Sequence, residues 1–194
     1  MRARIAISVA AVVGVLSACG GPGTGPSGPS GTLNLRITDA PFDDARALLV
    51  TFSEVSAHRA DSAEDSWSRL PFADGGAART CDLKKLQNAN EDILGVGTLT
   101  AGHYTQVRLV VSGATLYFDN ESAGPACAPA IVAPAGASAS LAIPSGVVRL
   151  NRQFTIPEGG ATTMLLDFDG GRSVHQTGNG TYRMTPVIGV VSVQ

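Results

Sequence analysis

Apolar residues in this chain recur at every second position, in short runs set apart by glycine, proline and asparagine. Leu33, Leu35 and Ile37 alternate with Asn34, Arg36 and Thr38, and Asp39-Ala40-Pro41 closes the run as a turn. A period of two buries one face of a strand and cannot build an amphipathic helix. Leu48–Arg59 is a second, longer strand. Its apolar phase runs through Leu48, Val50 and Phe52, then shifts to Val55 and Ala57, which predicts a bulge near Ser53-Glu54. Residues 60–65 are polar and read as a hairpin loop, with Trp67 and Leu70 on the return strand. Further strands are expected at His103–Val111, Thr115–Asp119, Ser138–Ile143, Val147–Thr155, Thr162–Asp169 and Thr181–Val193. In His103–Val111, Val107, Leu109 and Val111 face one way, and Tyr104, Gln106 and Arg108 the other. Asp82–Leu94 has the one helical spacing, with Asp82 as cap and Gly95 as stop. The pattern predicts an all-β fold, an antiparallel β-sandwich with at most one short helix.

The N-terminal residues obey a different rule. Arg2 and Arg4 precede an apolar run, Ile5–Leu16, of 12 residues, and Leu16-Ser17-Ala18-Cys19 follows. Crossing a bilayer takes roughly 20 residues. The segment reads as a secretory signal peptide ending in a lipobox, with cleavage before Cys19 and lipid on that cysteine. Gly20, with no Asp in its place, points to an outer membrane or cell surface in preference to the inner membrane. The Gly/Pro/Ser stretch that follows cannot pack a core and reads as a tether. The expected organisation is a signal peptide over 1–18, the lipidated cysteine and tether over 19–31, and one domain over 32–194.

Losing Arg2 and Arg4 with the signal moves the net charge from −2 to about −4. An acidic chain with no basic run lacks the electrostatic footprint of nucleic acid binding. Besides Cys19, the cysteines are Cys81 and Cys127, an even pair in an oxidising compartment. A disulfide is the default, and two free buried thiols are the alternative. Neither has a second Cys or His at zinc-ligand spacing.

Acidic residues carry the best candidate chemistry. Met164, Leu166 and Phe168 share one strand face, so Asp167 and Asp169 share the other, with Cα atoms roughly 6.6 Å apart. Asp39 joins them if its strand is a neighbour. Asp39, Asp167 and Asp169 are thus candidate oxygen ligands for Ca²⁺. The competing reading is structural: an Asx-type turn at Asp39, and pairing of Asp167 and Asp169 with Arg172, Arg36 or Arg183. No calcium-loop signature is present, and no other cofactor is expected. His58, His103 and His175 share no motif, and no serine or cysteine has a nucleophile signature.

The stretches LNLRITDAP, VTFSEVSAHR, WSRL, CDLKKLQN, LTAGHYTQVRLVV, IPSGVVRLNRQFTI and LLDFDGGRSVHQTGNGTYRMTPVIGVV, in that order over roughly residues 32–191, resemble the bacterial and archaeal lipoproteins grouped as domain of unknown function 4382. The resemblance implies a secreted, often lipid-anchored β-sandwich with no assigned enzyme activity. It marks Asp39, Pro41, Gly102, Tyr104, Arg108, Pro144, Ser145, Asp167, Asp169, Ser173 and Pro186 as recurrent residues. AGHYTQVRL is also similar to a strand entry in transthyretin-like sandwiches, which implies a transthyretin-like or Greek-key arrangement and, by analogy, a binding or scaffold module.

Two functions compete. One is a non-catalytic envelope module that binds a protein or glycan, with Trp67, Tyr104, Tyr117 and Tyr182 as the aromatics to examine. The other is a carboxylate- or metal-dependent hydrolase built on Asp39, Asp167 and Asp169. A deep pocket holding all three carboxylates would favour the second.

Overall fold

The computed structural model describes residues 28–41 and 43–194. The signal peptide and Cys19 lie outside the described residues, as does most of the tether. Strand β1 (Ser30–Asp39) begins two residues before the expected domain start, because Ser30 and Gly31 pair with Thr100 and Leu99.

The chain then runs through β2 (Ala47–Arg59), β3 (Ser68–Arg69), β4 (Arg79–Asp82), a 3₁₀ turn at Leu83–Leu86, β5 (Asp92–Thr100) and β6 (Gly102–Tyr117). After β7 (Cys127–Ala128) come β8 (Ser138–Ala142), β9 (Val147–Ile156), β10 (Ala161–Phe168) and the single-turn helix α1 (Gly170–Ser173). Strands β11 (Val174–Gln176), β12 (Tyr182–Met184) and β13 (Ile188–Val193) complete the fold. The smaller sheet has the order β13-β10-β1-β5. The larger has the order β11-β12-β8-β6-β2-β4-β7, with β3 added to β2 and β9 to β6.

The fold is all-β and sandwich-like. One apolar cluster takes side chains from both sheets: Leu33, Leu35, Ile37, Met164, Leu166 and Phe168 from the smaller, and Val50, Phe52, Val55, Val107 and Leu109 from the larger. Phe52 and Phe168 meet edge to face across it, with ring centroids 6.2 Å apart. The pairing is not wholly antiparallel: β1 runs parallel to β10, and β8 to β12. The β1–β10 partners, about 130 residues apart, are brought together by the whole chain path, which strand periodicity does not encode.

The phase shift in β2 is the predicted bulge: the β2–β6 register slips between Phe52 and Glu54. The helix expected over Asp82–Leu94 does not form. Asp82 caps only the 3₁₀ turn, accepting from the Lys84 N–H at 3.1 Å. Extended Gln87 ends it, and Asn88 and Ala89 follow with left-handed φ values of 59° and 62°. Leu94 to Thr100 belong to β5, where Gly95 and Gly97 face Pro71 closely. A Cβ at Gly97 would meet Pro71 Cδ at 2.6 Å, so both glycines serve close packing and neither stops a helix. Expected strands 103–111 and 115–119 are one strand, β6, and the expected 181–193 strand is two, β12 and β13.

Candidate functional site

The structure brings Asp39, Asp167 and Asp169 to one end of the smaller sheet. Parallel pairing sets Thr38 against Asp167 and Asp39 against Phe168. Asp39 falls in the inward phase of β1, after Leu33, Leu35 and Ile37, and is only 4% exposed. Its Oδ1 accepts the Gly170 N–H at 2.9 Å, and its Oδ2 accepts Gln87 Nε2–H at 3.2 Å. Burial pushes its pKa up from 3.8 to about 7, against the pull of these two donors; the charges of Asp167 and Asp169 push the same way. Asp167 is raised too, by burial and then by Asp169, while a hydrogen bond from the Ala40 backbone lowers it.

Asp169 is the N-cap of α1. Its Oδ1 accepts the Arg172 N–H at 2.9 Å, and its carbonyl accepts the Ser173 hydroxyl at 2.6 Å. Ser173 Oγ in turn accepts the Val187 N–H at 2.9 Å. The pairing of Asp169 with Arg172 is loose, at 3.9 Å, and Arg36 pairs with Glu91 instead. Among the described residues no three His, Cys, Asp or Glu side chains are placed to hold a metal ion. The carboxylates join β1, β10 and the turn after β10. A substrate cannot reach Asp39 without opening that joint.

Cys81 and Cys127 are disulfide-bonded and stand directly opposite each other on β4 and β7. Buried Arg79 braces the same corner, paired with Asp74 and, at 3.4 Å, with Asp92. Asp92 Oδ2 also accepts the Cys127 N–H at 3.1 Å.

The aromatic residues separate. Tyr104 is fully buried, correcting its outward placement with Gln106 and Arg108: the β6–β9 register slips between Tyr104 and Gln106, which turns Tyr104 into the core. There it stacks on Phe154 at 5.2 Å and donates its hydroxyl to the Thr100 carbonyl at 2.8 Å. Tyr117 is buried as well, and half-buried Tyr182 packs on Phe118 at 5.7 Å.

Trp67 is different. It stands beside the outer face of the larger sheet, where Arg69, Ser56, Arg108 and Arg149 form one row across β3, β2, β6 and β9. The Arg108 guanidinium lies 4.5 Å above the Trp67 ring, that of Arg149 at 5.8 Å, and the His58 ring at 5.2 Å. Arg108 bonds Glu54 and donates through Nε to Ser56 Oγ at 3.1 Å; the Ser56 hydroxyl donates in turn to Glu54 Oε1 at 2.9 Å. Burial raises the Glu54 pKa, but these bonds and the Arg108 charge outweigh it and hold the carboxyl below its ordinary value. Trp67, Arg108, Arg149, Glu64 and Asp65 line a cleft of about 260 Å³. Of this group the sequence flagged only Trp67, His58 and Arg108. The shared outward phase of Ser56, Arg108 and Arg149 was available as a signal, but not which strands lie side by side.

A family model described as a domain of unknown function (DUF4382) matches residues 30–186. The chain belongs to the DUF4382 family. The match runs from β1 to the turn before β13 and takes in both the acidic joint and the Trp67 face of this DUF4382 domain. No curated protein and no solved structure matches the chain.

Proposed function

We propose that this DUF4382 protein is a lipid-anchored, extracytoplasmic β module that binds a protein or glycan of the cell envelope and performs no catalysis. The Trp67 face carries this reading. Two arginines, an aromatic ring and two carboxylates gather there at the surface, whereas the Asp39 joint spends its hydrogen bonds inside the fold. The anchor rests on Arg2, Arg4, the short apolar run and the lipobox at Cys19. The tether after Cys19 gives the domain reach from the membrane, and Gly20 favours the outer membrane or cell surface.

Fractionation tests the anchor. Cys19→Ser should move the protein from the membrane fraction to the soluble one. Persistence with membranes would mean a retained helix or another anchor. The soluble Cys19→Ser protein should then be retained by isolated cell envelopes, and adding Trp67→Ala should weaken that retention. Retention untouched by Trp67→Ala removes this face from the reading.

A further inference from the structure

We infer that the Trp67 cleft takes a carboxylate-bearing sugar of an acidic polysaccharide, with its carboxylate held between the guanidinium groups of Arg108 and Arg149. This rests on the reading of the Trp67 face as the ligand face.

Arg108 and Arg149 are direct cross-strand partners of β6 and β9. Like charges placed opposite each other weaken a sheet. Arg108 is balanced by Glu54, but Arg149 is exposed and makes no ion pair among the described residues. The Trp67 ring draws both guanidinium groups toward one spot. The result is a pair of planar donors that an incoming carboxylate can bridge. Because Arg108 covers the ring, Trp67 serves to position the arginines.

The remaining lining of the cleft decides between anions. Glu64 and Asp65 line it, and neither is ion-paired with an arginine among the described residues. They repel a phosphate or sulfate dianion, or an anionic membrane surface, more strongly than a single carboxylate. They accept hydrogen bonds from hydroxyl groups, which arginine cannot do. A ligand that satisfies both kinds of group has a single negative charge and several hydroxyls close to it, as a uronic acid ring does. The volume, about 260 Å³, lies below the roughly 300–1,000 Å³ of sites for drug-sized molecules, and suits one ring of a longer chain.

The test is calorimetric titration of the full-length protein with a short oligogalacturonate, its neutral galactose counterpart, inorganic phosphate and a short poly-glutamate peptide. The oligogalacturonate should bind, and the neutral sugar should bind roughly tenfold more weakly or less. Arg149→Ala should weaken the acidic sugar roughly tenfold. Arg149→Lys should restore part of this, since it keeps the charge and loses the fork. Glu64→Gln with Asp65→Asn, both at exposed positions, should relax selectivity toward phosphate. Thermal unfolding of each variant separates lost binding from lost folding. Equal binding of the neutral and acidic sugars overturns the carboxylate assignment and leaves the ligand face standing. Tighter binding of phosphate or poly-glutamate overturns the sugar. If none of the four binds, and envelope retention is indifferent to Trp67→Ala, both this inference and the reading beneath it fall.

Discussion

Asp39 accepts a hydrogen bond from the Gly170 N–H at 2.9 Å across 131 positions of sequence, and this bond joins the end of β1 to the turn that follows β10. The carboxyl that makes it is an inward-facing residue of a core strand, so its protonation state is tied to folding.

Stability should fall as pH rises from about 4 to about 7. Burial raises the Asp39 pKa to about 7 in the folded state, against an ordinary 3.8. Between those values the folded chain holds a proton that the unfolded chain has released. The contribution is therefore fully present below the unfolded value and is lost as pH climbs through the folded one. Asp167, raised in the same direction, adds to the slope. Melting curves from pH 4 to pH 8 at constant ionic strength should show this fall. Asp39→Asn, which keeps an acceptor for Gly170 and has no proton to release, should flatten it. An unchanged slope in Asp39→Asn would assign the effect elsewhere.

Calcium should leave the melting temperature where it is. Asp39 and Asp169 accept from Gly170, Gln87 and Arg172 within the protein, and Asp167 accepts from the Ala40 backbone. A metal bound only by the folded state would add about 2.7 kcal/mol at 100 times its Kd. Unfolding in millimolar Ca²⁺ and in chelator should coincide, with Asp169→Ala less stable in both by about 1 kcal/mol through loss of the α1 cap, and Asp169→Asn, which keeps the acceptor for the Arg172 N–H, close to the parent. A shift of several degrees that Asp169→Asn abolishes would make the acidic joint a metal site.

The Cys81–Cys127 bond should appear as a two-hydrogen mass deficit in the non-reduced protein. Its sequence separation is 46, for which the chain-entropy model gives about 4 kcal/mol. Replacing both cysteines with alanine should lower stability by an amount of that order in denaturant unfolding. Two freely alkylated thiols in the native protein would contradict the bond.

Tyr104→Phe should cost about 1 kcal/mol, the worth of the hydroxyl's bond to the Thr100 carbonyl. Tyr104→Ala should cost several times more, because it also empties the stack on Phe154. Equal losses would mean that the ring contributes nothing beyond its hydroxyl.

Local pattern was enough for most of the long strands and for the bulge at the centre of β2, because each depends on neighbours a few positions away, but not for β5, whose start falls within the helical spacing of Asp82–Leu94. For Asp39 the local pattern offers a turn residue or a metal ligand, and its burial in the inward phase of β1, after Leu33, Leu35 and Ile37, came from the structure. The even cysteine count suggested the bond between Cys81 and Cys127. Register and neighbours were settled only in three dimensions. Parallel pairing of β1 with β10 placed Asp39 beside Asp167, a single slip next to Tyr104 turned that ring from solvent into the core, and the alignment of β3, β2, β6 and β9 put Arg69, Arg108 and Arg149 in one row. Strand periodicity states which face a residue takes but not which strand lies alongside. That choice follows from the free energy of closing the whole core, summed over contacts far apart in the chain.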